Sequence, residues 1–599
     1  MTSTLSRRAL VRGAVVVAGL AVTPAAVRGS GRATAQNPEL PRPLMFRSPR
    51  LEPFRDAMPI PPSISGSTIE IASRTTSHRF HQDLPHSPAL GYGGMDYLGP
   101  TIEARAGAET VLHYRNEIGT HPFVADMDTT LHGMSEATRT DPPTSMHLHG
   151  GVTPPEFDGH PELITRPGQG YTYKFPNRQP ATQLWYHDHA MAITRTNVYA
   201  GLAGMYLLRD NFDTGLADNP LGLPSGRHEM PLVLQEKIFT DNGAQSLRST
   251  PIVPEGRWEG GAVGDVGVVN GKAWPELEVD RGLYRFRVIN AASYSVWNLY
   301  LSNGMRFWVI GAEGGLLDAP VPATHVRLAP AERLDILVDF GQLDPGTYVE
   351  LRNDEQPPAQ AAQIGAVAMP LFCRFKVGTA RGFTGPVPHT LRGGRRQPSL
   401  LPPVEQPQSF RNLTVSQPFD LRLPPSIMTL NNLRFSSDDI EMPRQRTVEQ
   451  WNLINVTGDP HPIHIHLVNF RILGRQPLDS FRYTVTNPQP PVGVRWTPSA
   501  ESYLLGPLIP PQPWESGWKE TVRLDPYSVT RLIVRFPTAD ELGFDPDARF
   551  GRSPGAHGGH AAGHGGSDLQ GSDLQGYVWH CHILDHEDHD MMLKYRTIA

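Results

Sequence analysis

The sequence predicts an all-β chain built as three consecutive β-sandwich domains, on three observations. One strand pattern recurs three times along the 599 residues. Proline (59) and glycine (57) are both abundant, and long helical patterns are scarce. Alternation at period two marks half-buried strands, and frequent Pro and Gly punctuate the turns between them.

The first copy of the pattern is Leu98-Gly99-Pro100-Thr101-Ile102-Glu103, then Thr110-Val111-Leu112-His113-Tyr114-Arg115-Asn116. The second is Val268-Val269-Asn270-Gly271, then Leu283 through Asn290; the third is Met428-Thr429-Leu430-Asn431-Asn432, then Thr447 through Asn455. Each has a short first strand, a gap, and an alternating strand ending in Asn. Their spacing is that of one small β-domain, which places domains at 38–212, 226–378 and 419–599. The Pro/Arg/Gln-rich stretch 379–418 reads as the linker between the last two. The piece 555–576, with His557, His560, His564 and a tandem Gly-Ser-Asp-Leu-Gln repeat, lacks apolar periodicity and reads as a surface loop.

Residues 1–35 read as a twin-arginine signal peptide. Ser6-Arg7-Arg8-Ala9-Leu10-Val11 is followed by an apolar stretch from Ala14 to Ala26 and a small-residue cleavage site at Ala33-Thr34-Ala35. The apolar stretch is too short to span a bilayer as a mature helix. Export to an extracellular, periplasmic or cell-envelope location is therefore expected. No other segment is long and apolar enough to cross a membrane. A net charge of −6 with no long basic run argues against nucleic acid or an anionic membrane surface as the main partner. The two cysteines, Cys373 and Cys581, are too few for a disulfide framework. Cys373, within Leu371-Phe372-Cys373-Arg374-Phe375, reads as a buried, inert strand thiol.

The 24 histidines are unevenly spread. Four motifs stand out: His147-Leu148-His149-Gly150; Trp185-Tyr186-His187-Asp188-His189; His461-Pro462-Ile463-His464-Ile465-His466; and His580-Cys581-His582, which continues through His586 to Met591. Each has His at i and i+2, which on a strand point to one face. Burying eight such imidazoles without metal would leave many unsatisfied nitrogens. In the last motif Cys581 faces away from His580 and His582, so it belongs to a different metal. With His461, His586 and Met591 it makes two His, one Cys and one weak thioether, the ligand set of a blue-copper electron-transfer site. Zinc accepts His and Cys but does not explain the Met or the adjacent group of eight histidines. Trp185 and Trp451 read as core aromatics, and His113 as an ordinary histidine.

These motifs resemble those of the multicopper oxidases, in particular the three-domain bacterial laccase branch. The resemblance covers essentially the whole mature chain and is closest from His147 through Asp158-Gly159 and from His580 to Met591. It implies three cupredoxin-like Greek-key sandwiches, the middle one without copper, and four copper ions. His461, Cys581, His586 and Met591 would hold one type 1 copper. His147 and His464 would hold one type 2 copper. His149, His187, His189, His466, His580 and His582 would hold a type 3 pair. A small aromatic reducing substrate, a phenol or aminophenol, would give up one electron at a time near His586, whose ring edge is expected at the surface. The electron would leave through Cys581 to His580 or His582, and dioxygen would take four electrons to become water. Asp158 and Glu587 fit the acidic residues that deliver protons in related enzymes; Asp188 reads as structural. A cuprous oxidase of the cell envelope is the alternative, but the 16 Met form no cluster beyond Met591-Met592. The oligomeric state is left open.

Overall fold

The computed structural model describes residues 44–363, 365–394, 400–418, 427–551 and 574–599. Residues 1–35, expected from the sequence to be a signal peptide, and the stretch 555–573 of the His/Gly-rich piece lie outside the described residues. Among the described residues, no helix is long and apolar enough to cross a membrane.

Three pairs of sheets follow one another along the chain. The first pairs a five-stranded sheet ordered Ser63–Ser65, Thr101–Arg105, Ala203–Arg209, Thr182–Asp188, Met146–His149 with a four-stranded sheet ordered Ser87–Tyr92, Thr68–His78, Thr110–Glu117, Gly170–Phe175. The second pairs an eight-stranded with a five-stranded sheet. The third pairs a five-stranded sheet around Val448–Asn455 with a four-stranded sheet ordered Thr521–Leu524, His461–Ile465, Tyr577–Cys581, Met592–Tyr595. Each pair closes over its own apolar core. Leu112, Tyr114 and Tyr173 lie in the first, Phe286, Leu337 and Phe375 in the second, and Trp451, Leu532 and Trp579 in the third. Each such side chain contributes roughly 1.5–3 kcal/mol by leaving water. The architecture is the expected run of cupredoxin-like sandwiches.

The recurring sequence pattern has a recurring structural cause. Its alternating strand pairs parallel to a preceding strand in every copy: Thr110–Glu117 with Thr68–His78, Leu283–Asn290 with Glu229–Phe239, and Val448–Asn455 with Ser409–Ser416. The Asn at or next to its end is fully buried each time and turns the same corner. Asn116 Nδ2 donates to the Pro142 and Thr165 carbonyls, and its Oδ1 accepts from Ile118 N. Asn290 serves Ser295, Leu328 and Ala292 in the same way, and Asn455 serves Asp459, Asp525 and Thr457. A buried backbone donor or acceptor left unpaired costs about 1–3 kcal/mol, so one amide satisfying three such groups explains the repetition.

One expectation is corrected. The stretch 379–418 is not wholly a linker. Strand Leu371–Arg381 runs into it from the second sandwich, Leu391 packs in that sandwich's core, and Ser409–Ser416 is a full strand of the third. Its Pro-rich flanks mask a strand whose pairing partner lies tens of residues downstream.

The middle sandwich is tied to the first by a buried ion cluster, which Arg209 of strand Ala203–Arg209 joins through Glu229 at 2.8 Å. Arg285 and Arg287 share Asp213, Glu229 and Asp335. Cys373 is buried in the middle core as expected, and burial pushes its thiol up.

Candidate metal centre

Strand geometry brings the motifs together. Met146–His149 lies antiparallel to Thr182–Asp188, with His147 opposite His187 and His149 opposite Trp185. Met146 and Leu148 turn into the first core, leaving His147 and His149 on the other face. In the third sandwich His461–Ile465 lies antiparallel to Tyr577–Cys581, with His464 opposite His580 and Ile463 opposite Cys581. Period-two alternation therefore puts His464 and His580 on one face of this sheet and His461 and Cys581 on the other.

On the first face, eight buried imidazoles from two sandwiches converge: His147, His149, His187 and His189 meet His464, His466, His580 and His582. Most have one ring nitrogen committed to the protein. His147 Nδ1 donates to the Asp158 carbonyl at 2.5 Å, His187 Nδ1 to the Asp188 carbonyl at 2.8 Å, and His464 Nδ1 to the Glu520 carbonyl at 3.0 Å. His580 Nδ1 donates to the Cys581 carbonyl at 3.1 Å, and His466 Nδ1 to Asp158 Oδ2 at 2.6 Å. His149 is reversed: its Nε2 donates to Glu520 Oε1 at 3.1 Å. Such outer partners fix the tautomer and aim the other nitrogen.

The remaining nitrogens carry lone pairs, and they face one another. The Nε2 atoms of His189, His466 and His580 lie 3.3 Å apart pairwise, and His149 Nδ1 lies 3.4 Å from His187 Nε2. His147 Nε2, His464 Nε2 and both ring nitrogens of His582 are buried with no hydrogen-bond partner. Protons cannot resolve these contacts. Burial, reinforced by neighbouring imidazoles, holds His147, His149, His189, His464, His466 and His582 well below the ordinary histidine range, and burial holds His187 down to about 3. Neutral imidazoles with converging lone pairs call for cations. The groups His149/His187/His582, His189/His466/His580 and His147/His149/His464 each bring their ligand atoms within 4.8 Å of one another.

On the opposite face, Cys581 Sγ lies 3.5 Å from His461 Nδ1 and 3.8 Å from His586 Nδ1. His461 Nε2 donates to Thr457 Oγ1 at 2.8 Å, and Thr457 Oγ1 lies 2.8 Å from the corner residue Asn455. Met591 is buried in the same core as Cys581, and its carbonyl accepts from Cys581 N. His586 corrects an expectation, for its edge is not at the surface. It is fully buried, and its Nε2 donates to the Gly260 carbonyl at 3.1 Å. The middle domain supplies this cover. Trp258, itself buried, donates Nε1–H to the Asp585 carbonyl at 2.5 Å and stacks on His589 with centroids 4.3 Å apart.

Asp158 and Glu587 both reach the eight-histidine cluster. Asp158 Oδ1 accepts from Thr153 Oγ1 at 2.9 Å. Glu587, fully buried, bridges the two sandwiches, with one oxygen 3.2 Å from His189 Nδ1 and the other 3.1 Å from His580 Nδ1. Asp188 accepts from Ser145 N, Ala190 N and Asn197 Nδ2, a structural role as expected. Trp185 is more than core filling, because it stacks on His187 at 4.2 Å. His113 sits at the surface beside Thr172. Sequence reasoning missed Glu520 and the Trp258–Gly261 cover. Neither carries a local motif, and each reaches its site only through the tertiary fold.

Sandwich folds joined across an eight-histidine cluster, with a His–Cys–His site one residue away, define a copper redox protein of the cupredoxin type. Comparison with known proteins agrees. The multicopper oxidase family matches at 138–212, 233–367 and 403–543. The laccase of Bacillus subtilis is 34% identical over 90% of this chain and 98% of its own length. The bilirubin oxidase of Albifimbria verrucaria is 30% identical over 92% of this chain and 82% of its own. The crystal structure of the McoA multicopper oxidase of Aquifex aeolicus superposes with a TM-score of 0.67 at 25% identity, covering 91% of this chain and 99% of that one. The chain belongs to the multicopper oxidase family, and it is a copper-dependent oxidoreductase with dioxygen as electron acceptor.

Proposed function

We propose that this is a laccase-type oxidase of phenolic or aminophenolic donors, holding four coppers and producing water from dioxygen. The observation that carries the reading is the pair of sites back to back on one strand: Cys581 faces His461 and His586, while His580 and His582 on either side of it face the eight-histidine cluster. The first site, with Met591, would hold the type 1 copper. His147 and His464 would hold the type 2 copper. His149/His187/His582 and His189/His466/His580 would each hold one copper of the type 3 pair. Bound copper supplies one-electron redox chemistry at the first site and four-electron storage across both.

The chain's own residues do the rest. The bonds from Cys581 through its backbone to His580 or His582 give a covalent electron path on the order of 10 Å. The oriented imidazoles would hold their metals through the ring nitrogens that the protein leaves unbonded. Asp158 touches His466 Nδ1, and Glu587 lies between His189 and His580; from there they would hold protons and hand them on to the cluster. A donor would approach His586 over the Trp258–Gly261 cover, through the Gly260 carbonyl, without touching the ring. We also propose export by the twin-arginine signal at 1–35 and domain limits near 38–212, 226–391 and 409–599.

A donor screen on copper-loaded protein tests the reading, with oxygen uptake followed for phenols, o-aminophenols, bilirubin and Cu(I). Uptake with aromatic donors is expected. Uptake with Cu(I) alone would favour a cuprous oxidase, and none with any donor would sink both.

A further inference from the structure

His149 is the reversed ligand of the cluster, and the reason lies outside its own domain. Its Nε2 is held by Glu520 Oε1, with Thr521 Oγ1 at 3.0 Å, which turns Nδ1 inward toward His187. Glu520 is held in turn by the guanidinium fork of Arg333 from the middle sandwich: Nη1 to Oε1 at 2.5 Å and Nη2 to Oε2 at 2.8 Å. Arg333 is fully buried and also donates to the Gln183 and Ala331 carbonyls. Residue 150 has to be glycine for this pair to approach. At φ +82 a Cβ there would lie 2.6 Å from Glu520 Oε2 and 2.8 Å from Arg333 Nη2. The Glu520 carbonyl holds a second ligand, His464, through its Nδ1.

From this geometry we propose that Glu520, anchored by Arg333, is a positioning residue. It fixes the tautomer of His149 and so makes loading of the eight-histidine cluster depend on a hydrogen-bond acceptor at 520 that is not itself a ligand. A carboxylate oxygen only accepts, so His149 Nε2 must carry the ring proton and Nδ1 must carry the lone pair. Without Glu520 only the Thr521 hydroxyl faces Nε2; it can donate as well as accept, so it permits either tautomer, and one metal of the pair loses a ligand. The proposal rests on reading that cluster as the copper site.

The test compares two double variants that both lack the ion pair, Arg333→Met with Glu520→Gln and Arg333→Met with Glu520→Leu. Neither buries an unpaired charge, and they differ only in whether residue 520 can accept a hydrogen bond from His149. Copper per chain, the fraction of copper visible by electron paramagnetic resonance, blue absorbance and thermal unfolding are measured on copper-loaded protein. The Gln form is expected to keep wild-type copper and a silent coupled pair. The Leu form is expected to lose one equivalent, and its remaining type 3 copper to become visible, with the blue site unchanged in both. Equal copper and equal silent fraction in the two forms would overturn the proposal, as would full loading in the single variant Glu520→Ala. Wild-type protein lacking a coupled pair would instead overturn the reading of the cluster.

Discussion

The thiolate site and the eight-histidine cluster share one sheet but are built on opposite plans. The first draws His461, Cys581, His586 and Met591 from a single sandwich, and only its cover, Trp258 to Gly260, comes from another. The second draws half its imidazoles from each terminal sandwich and is braced by Arg333 of the middle one. A site made within one core is limited by local packing, whereas a site made between cores is limited by how those cores dock. The two should therefore fail separately.

The largest expected effect is Cys581→Ser. Blue absorbance should vanish and aromatic oxidation fall by roughly 10³-fold or more, because the thiolate ligand is lost, while copper analysis finds the cluster still loaded. A variant that stays blue would break the comparison. Asp158→Asn strikes the other site. Oxygen uptake should drop by about 10²-fold, the usual worth of a positioned proton carrier, with anaerobic bleaching of the blue colour by donor unchanged. If bleaching slows equally, the two sites are not separable in this way. Met591→Leu should keep copper and raise the type 1 potential, because a weak donor is removed; redox titration of the blue band reads this, and a lowered potential counts against Met591 as axial ligand.

The smallest effect concerns the scaffold that both sites share. Glu515 is buried, which pushes its carboxyl up, but Arg475 at 2.8 Å outweighs this and holds it down to about 2. A depressed folded value means the pair stabilises fully above the unfolded value of 4.5 and is lost as pH falls toward 2. The unfolding gap between wild type and Glu515→Gln, about 3–5 kcal/mol at neutral pH for a broken buried pair, should narrow over that window. A gap constant with pH would remove Glu515 from the account.

Much of this was legible in the sequence because the decisive signals are local. His-x-His on a strand states its own geometry, and His580-Cys581-His582 states that two sites lie back to back. The unreadable parts are those where partners meet only through the fold. Glu520 reaches His149 by the pairing of Thr521–Leu524 with His461–Ile465. The segment Pro254-Glu255-Gly256-Arg257-Trp258-Glu259-Gly260-Gly261 has no periodicity, so nothing along the chain announces that it buries His586. Strand Ser409–Ser416 is half exposed at its start and lacks clean alternation, so composition outweighed its pairing.

The buried asparagine that closes the corner of each sandwich bears on how such a chain can be altered. Asn290 makes the same three hydrogen bonds as Asn116 and Asn455, although none of the four histidine motifs falls in its domain. The framework thus holds its shape with or without a metal to carry. The middle sandwich offers a ready mould in which a His-x-His pair could be grafted without redesigning the strands that would bear it.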